Sequence, residues 1–131
     1  MASGEDPAAR VTTERTRKLA AILSADVVGY SRLMGEDEEA TVRTLTTYRD
    51  VIATLIQQHR GRVVDSPGDN LLAEFASVVD AVQGAIAIQQ EITARNMTLP
   101  PHQQMQFRLG INLHEGYERP KFLRFTEKAS V

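Results

Sequence analysis

The sequence predicts an α+β fold in two layers, and three observations carry that expectation. Two long stretches, "GEDEEATVRTLTTYRDVIATLIQQHRG" and "SVVDAVQGAIAIQQEITARN", repeat apolar residues at helical spacing. Between them, "RVVDSPGDNLLAEF" sets two short apolar runs around Pro67, Gly68, Asp69 and Asn70, the composition of a β-hairpin. Near either end, "KLAAILSADVV" and "MQFRLGINL" have the length and pattern of strands.

Taken in order, residues 18–28 form a first strand, buried on both faces near its end. Gly29 permits a tight exit, and "YSRLM" suits a short helical turn. The first long helix opens with acidic residues 36–39, which complement its positive end. Val42, Leu45, Ile52, Leu55 and Ile56 recur along it, and Gly61 stands where a C-terminal cap belongs. After the hairpin, Ser77 caps a second helix, with Asp80 three residues on. Val78, Val82, Ala85, Ile86, Gln89 and Ile92 map to one face of that helix. "MTLPPHQQ" is a loop, after which Met105, Phe107, Leu109 and Ile111 alternate along a last strand. Burial is expected for Leu45, Ile52, Leu55, Val82, Ile86 and Phe107, with Phe75 also in the core. The order βαββαβ packs as a two-layer, ferredoxin-like sandwich.

Composition narrows the function. The 131 residues fit one domain, divided as a polar leader (1–17), the patterned region (18–113) and a tail (114–131). A net charge of −2 supplies no basic field for nucleic acid or an anionic membrane. The absence of cysteine excludes disulfides and thiolate metal sites, and His59, His102 and His114 lack zinc-ligand spacing. Apolar runs fall far short of the roughly 20 residues that span a bilayer. The leader lacks the apolar stretch of a signal peptide, so a cytoplasmic location is expected.

Asp26 ends an otherwise apolar strand, and Asp69 sits in the hairpin turn. In a split βαβ sheet the first strand lies beside such a hairpin, so the two carboxylates converge. Bare carboxylates repel at short range, and a hard divalent cation such as Mg2+ or Mn2+ resolves the repulsion. Gly29 and Gly68 leave room for close approach of backbone and phosphate. The competing reading is local: an aspartate at a strand end is often a cap, and one in a Pro-Gly turn is often turn chemistry.

"ILSADVVGYSRLM", "RGRVVDSPGDNLLAEF", "SVVDAVQGAIAIQQEI" and "FRLGINL" resemble, in order and spacing, the class III adenylate/guanylate cyclase catalytic domain in its bacterial form, over about residues 18–113. The resemblance implies a nucleotide-cyclase-type sandwich. It places Asp26 and Asp69 on the aspartates that bind two Mg2+ or Mn2+ ions, with a carbonyl ligand from Val27. Val28, Gly29, Tyr30, Ser31 and Gly68 then surround the phosphates of ATP or GTP, and Asp65 takes the place of a base-reading lysine or glutamate. The implied reaction is attack of the ribose 3′-oxygen on the α-phosphate with release of pyrophosphate, in a homodimer or a heterodimer with another cyclase domain. Arg32 and Arg62 are read as surface residues.

Two departures stand out. An aspartate at position 65 donates to a purine only when protonated, which leaves ATP or GTP open. After "GINL" the family continues with Gly-Asp, a further strand and a helix carrying an asparagine and an arginine. This chain has His114 and Glu115, then "GYERPKFLRFTEKASV", with no geometric role for Arg119, Lys121 or Arg124. The expectation is a domain incomplete at its C-terminus and poorly active alone, either a truncated product or a short variant. The alternative is a non-catalytic nucleotide-binding or dimerisation module.

Overall fold

A computed structural model describes residues 19–115 and 129–130. The expected leader lies outside them, as does the tail apart from residues 114, 115, 129 and 130. The chain runs β1 (Leu19–Val27), α1 (Tyr30–Glu36), α2 (Glu38–Gln58), β2 (Gly61–Asp65), β3 (Leu71–Phe75), α3 (Val78–Asn96), a 3-10 turn (Pro101–Gln103), β4 (Phe107–Glu115) and β5 (Ala129–Ser130). The strands make one antiparallel sheet in the order β2-β3-β1-β4-β5. The two-layer α+β expectation holds, with α1 and β5 added to the βαββαβ core.

β1 is central, pairing with β3 over Ala21–Ala25 and with β4 over Leu19–Val27. Every residue from Ala21 to Ala25 is buried, as expected for a strand with neighbours on both sides. Ala21, Leu23, Ala25 and Val27 alternate onto the helix-bearing face, joining Phe75, Leu109, Ile52, Ile56 and Ile88 in one core. The same alternation sends Ile22, Ser24 and Asp26 to the other face.

Both long helices start at a side-chain cap, the Ser77 one as expected and the Asp37 one within the acidic run 36–39. The Asp37 carboxylate accepts from the Ala40 N–H at 3.1 Å, with Glu38 and Glu39 in the first turn of α2. Ser77 Oγ accepts from the Asp80 N–H at 3.3 Å at the start of α3.

Four expectations are corrected. Gly61 is not the helix cap: His59 ends α2, Arg60 takes the left-handed conformation (φ 67°), and Gly61 opens β2. Gly61 lacks a side chain for a reason of space, since a Cβ there would stand 2.5 Å from the Phe75 ring. The inward face of α3 is Ala81, Gly84, Ala85, Ile88, Ile92 and Asn96. Val82 (38%) and Ile86 (48%) are exposed, as is Val78. Two apolar stripes overlap on this helix, and the one with small residues turns inward because it lets the helix lie close: a Cβ on Gly84 would already be 3.4 Å from Phe75. On α2, Val42 is exposed, whereas Leu45, Ile52 and Ile56 are buried and Leu55 is partly so. Strand β4 continues two residues beyond Leu113, and two tail residues pair with it as β5, Ser130 opposite Gly110.

Among the described residues, no helix is long and apolar enough to cross a membrane.

Candidate metal and nucleotide site

The site lies at the C-terminal end of β1. The Val28 N–H donates to the Gln106 carbonyl at 2.9 Å, which keeps the end of the strand against β4. Gly29 then turns the chain at φ 68°, and its carbonyl accepts from the Leu33 N–H at 3.0 Å, starting α1. A left-handed turn is open to glycine at no steric cost.

The hairpin is held by its own polar groups. The Asn70 N–H donates to the Pro67 carbonyl at 2.8 Å, Gly68 sits at φ 57°, and the Ser66 hydroxyl donates to the Asn70 carbonyl at 3.2 Å. This turn delivers Asp69 to the end of β1, where its Oδ2 accepts from the Val27 N–H at 3.1 Å. The hairpin carboxylate is therefore tethered to the residue that follows Asp26. In an extended strand the N–H and C=O of one residue point toward the same neighbouring strand. The Val27 carbonyl is thus aimed at the hairpin as well.

Asp26 is largely buried, its side chain 14% exposed, and its register partner on β4 is Arg108. Arg108 Nε stands 3.3 Å from Asp26 Oδ1, on a side chain 56% exposed. Among the described residues, no group of three or more His, Cys, Asp or Glu could hold a metal. Two carboxylates and a backbone carbonyl nonetheless suit Mg2+ or Mn2+. Mg2+ in particular keeps several waters and is usually held by one or two carboxylates together with substrate phosphates.

The structure brings Asp26, Val27 and Asp69 together. It does not bring Asp65 to them: that residue is exposed on edge strand β2, separated from β1 by β3, and its Oδ1 accepts from the Ser66 N–H at 2.8 Å. A register shift between Val63 and Asp65 sets Asp65 opposite Leu72, which in turn faces Ser24. Asp65 therefore shares a cross-strand row with Ser24, two residues before Asp26. Val28, Gly29 and Ser31 are exposed around the turn, and Tyr30 packs against the core. Gly68 is exposed at the hairpin tip. Arg32 and Arg62 are surface residues, paired with Glu36 at 3.4 Å and Glu74 at 2.7 Å. Sequence reasoning missed Arg108. The alternation of "FRLG" puts a cation on the face opposite Phe107 and Leu109, but only the strand register sets it across from Asp26.

Sheet order and helix placement define a ferredoxin-like α+β domain, with Asp26 near the end of its central strand and Asp69 hydrogen-bonded to the next residue, Val27. No protein-family model matches the chain. A protein of Rhizobium meliloti (strain 1021) named "Putative adenylate cyclase 3" is 47% identical over 98 residues, covering 74% of this chain and 17% of that protein. The solved adenylate/guanylate cyclase/hydrolase from Silicibacter pomeroyi is 38% identical, covers 76% of this chain and 58% of its own, and superposes with a TM-score of 0.68. The adenylyl cyclase CyaB from P. aeruginosa shares the fold at a TM-score of 0.63 with 21% identity, covering 74% of this chain and 56% of its own. The chain belongs to the class III adenylate/guanylate cyclase family. It spans less than two thirds of the length of each of these relatives.

Proposed function

We propose that this chain supplies the metal- and phosphate-holding part of a nucleotidyl cyclase centre that converts ATP or GTP to a 3′,5′-cyclic nucleotide and pyrophosphate. The observation that carries the reading is the hydrogen bond from the Val27 N–H to Asp69 Oδ2, which brings the second carboxylate to the end of the strand that bears the first. In this reading Asp26, Asp69 and the Val27 carbonyl hold the Mg2+ or Mn2+ ions. The metal, when bound, favours ionisation of the ribose 3′-hydroxyl and offsets charge on the phosphates. The rigid central strand keeps Asp26 in place, and the hairpin keeps Asp69 beside it. Backbone around Val28, Gly29, Tyr30 and Ser31 lines the approach of the phosphates, with Gly68 leaving the hairpin tip open. Asp65, on edge strand β2 in the row of Ser24, would meet the base only from the far edge of the sheet.

Transition-state charge on the phosphate also calls for a positioned cation. Among the described residues, Arg32, Arg60, Arg62, Arg95 and Arg108 are each engaged in an ion pair, and the other two arginines, Arg43 and Arg49, lie on α2, away from the end of β1. We therefore assign the described part of the chain little turnover alone, with a cation supplied across a dimer by another cyclase domain. The test is cyclic-nucleotide production with Mn2+ by the purified chain, alone and mixed with a complete cyclase domain. Weak turnover alone that rises on mixing and disappears in Asp26→Ala supports the proposal. A second reading, a non-catalytic nucleotide-binding or dimerisation module, is favoured by the engagement of Asp26 with Arg108. It predicts Mn2+–nucleotide binding with no turnover in any mixture.

A further inference from the structure

We infer that Arg108 is the resident counter-ion of Asp26, and that a divalent cation entering the Asp26–Asp69 pair takes its place. The inference rests on the metal reading above and adds a residue which that reading does not use. Three facts point to it. Arg108 and Asp26 are register partners on adjacent strands, so both side chains leave the sheet on the face that bears no helix. The Nε–Oδ1 distance is 3.3 Å, an ion pair with the carboxylate that would hold the metal. The partners are unequal: Asp26 is 14% exposed and set in the central strand, whereas Arg108 is 56% exposed on a long side chain.

A largely buried carboxylate stays ionised at low cost when an opposite charge stands beside it. Without metal, the guanidinium supplies it. A divalent cation at two carboxylates carries more charge in less space, and the exposed guanidinium can swing into water with little loss of packing. Arg108 thus competes with the metal, lowering its affinity while keeping Asp26 compensated in the metal-free protein. It is a positioning residue, and nothing in this role requires it to touch substrate.

The effect is readable without catalysis. Mn2+ binding to the full chain, followed by the electron paramagnetic resonance of free Mn2+ in the absence of nucleotide, should tighten on the order of fivefold in Arg108→Ala, the upper reach of an exposed ion pair. Arg108→Lys, which keeps the charge, should stay close to wild type. General damage to the fold would weaken binding, so the direction of change separates a competing counter-ion from a structural role. Should Arg108→Ala fail to fold by circular dichroism, Arg108→Gln takes its place in the same measurement. Unchanged or weaker Mn2+ binding in the charge-removed variant, with Asp26→Ala still lowering affinity, overturns this inference and leaves the metal site standing. Binding indifferent to Asp26→Ala and Asp69→Ala overturns both.

Discussion

Asp69 has one role seen in this structure and one proposed for it, and a single substituted atom separates them. Its Oδ2 accepts the Val27 N–H at 3.1 Å, and its negative charge is the feature a cation would use. Asp69→Asn keeps a carbonyl acceptor of the same shape and removes the charge, whereas Asp69→Ala removes both. Val27 is buried, so deleting the acceptor leaves its N–H without a partner. An unsatisfied buried donor costs about 1–3 kcal/mol, and a 3.1 Å bond on a part-buried group belongs in the lower half of that range. Asp69→Ala should therefore lose about 1–2 kcal/mol. Asp69→Asn exchanges a charged acceptor for a neutral one and should lose about 0.5–1 kcal/mol. Mn2+ affinity should fall alike in both, since a neutral amide is a poor ligand for a hard dication. Urea denaturation without metal, followed by circular dichroism, gives the stabilities, with an unchanged slope confirming that the unfolding transition is the same. Mn2+ titration of the same samples gives the affinities. Equal destabilisation by the two substitutions would refute the tether, and an Asp69→Asn protein that keeps wild-type Mn2+ affinity would refute the ligand.

Three further outcomes follow from the packing. Ile88→Ala should cost about 2–5 kcal/mol, because Ile88 is fully buried, while Ile86→Ala should cost under about 1 kcal/mol because half of that side chain meets solvent; comparable denaturation midpoints for the two would mean α3 is rotated from the face described. Gly61→Ala should destabilise by about 1–3 kcal/mol, since its Cβ would stand 2.5 Å from the ring of the fully buried Phe75; a neutral or raised melting temperature would contradict that contact. Burial raises the Tyr48 phenol above its ordinary value, against a smaller lowering from Arg95, while its hydroxyl donates to Asn96 Oδ1 at 2.7 Å. The folded state therefore holds this proton more tightly than the unfolded chain, so the contribution is complete below the ordinary phenol value and is lost as pH rises through the raised one. Tyr48→Phe should flatten the alkaline decline in stability, and an alkaline limb identical to wild type would rule this assignment out.

The sequence by itself determined the order of the four main strands and two long helices, the acidic and Ser77-capped helix starts, and the pairing of apolar runs into a hairpin. Those features rest on local physics: Asp37 and Ser77 cap with their own side chains, and the Pro-Gly-Asp-Asn turn closes on itself within four residues. It also singled out Asp26 and Asp69, because a carboxylate inside an apolar strand and one in a hairpin turn are visible as breaks in pattern. Three matters were decided only by tertiary structure. Which stripe of α3 faces inward depended on how near the helix must lie to Phe75, a distance that no periodicity encodes. The reason for glycine at position 61 was a ring on another strand rather than the turn beside it. The engagement of Asp26 with Arg108 came from strand register, which joins residues far apart in the chain and is set by the packing of the whole sheet.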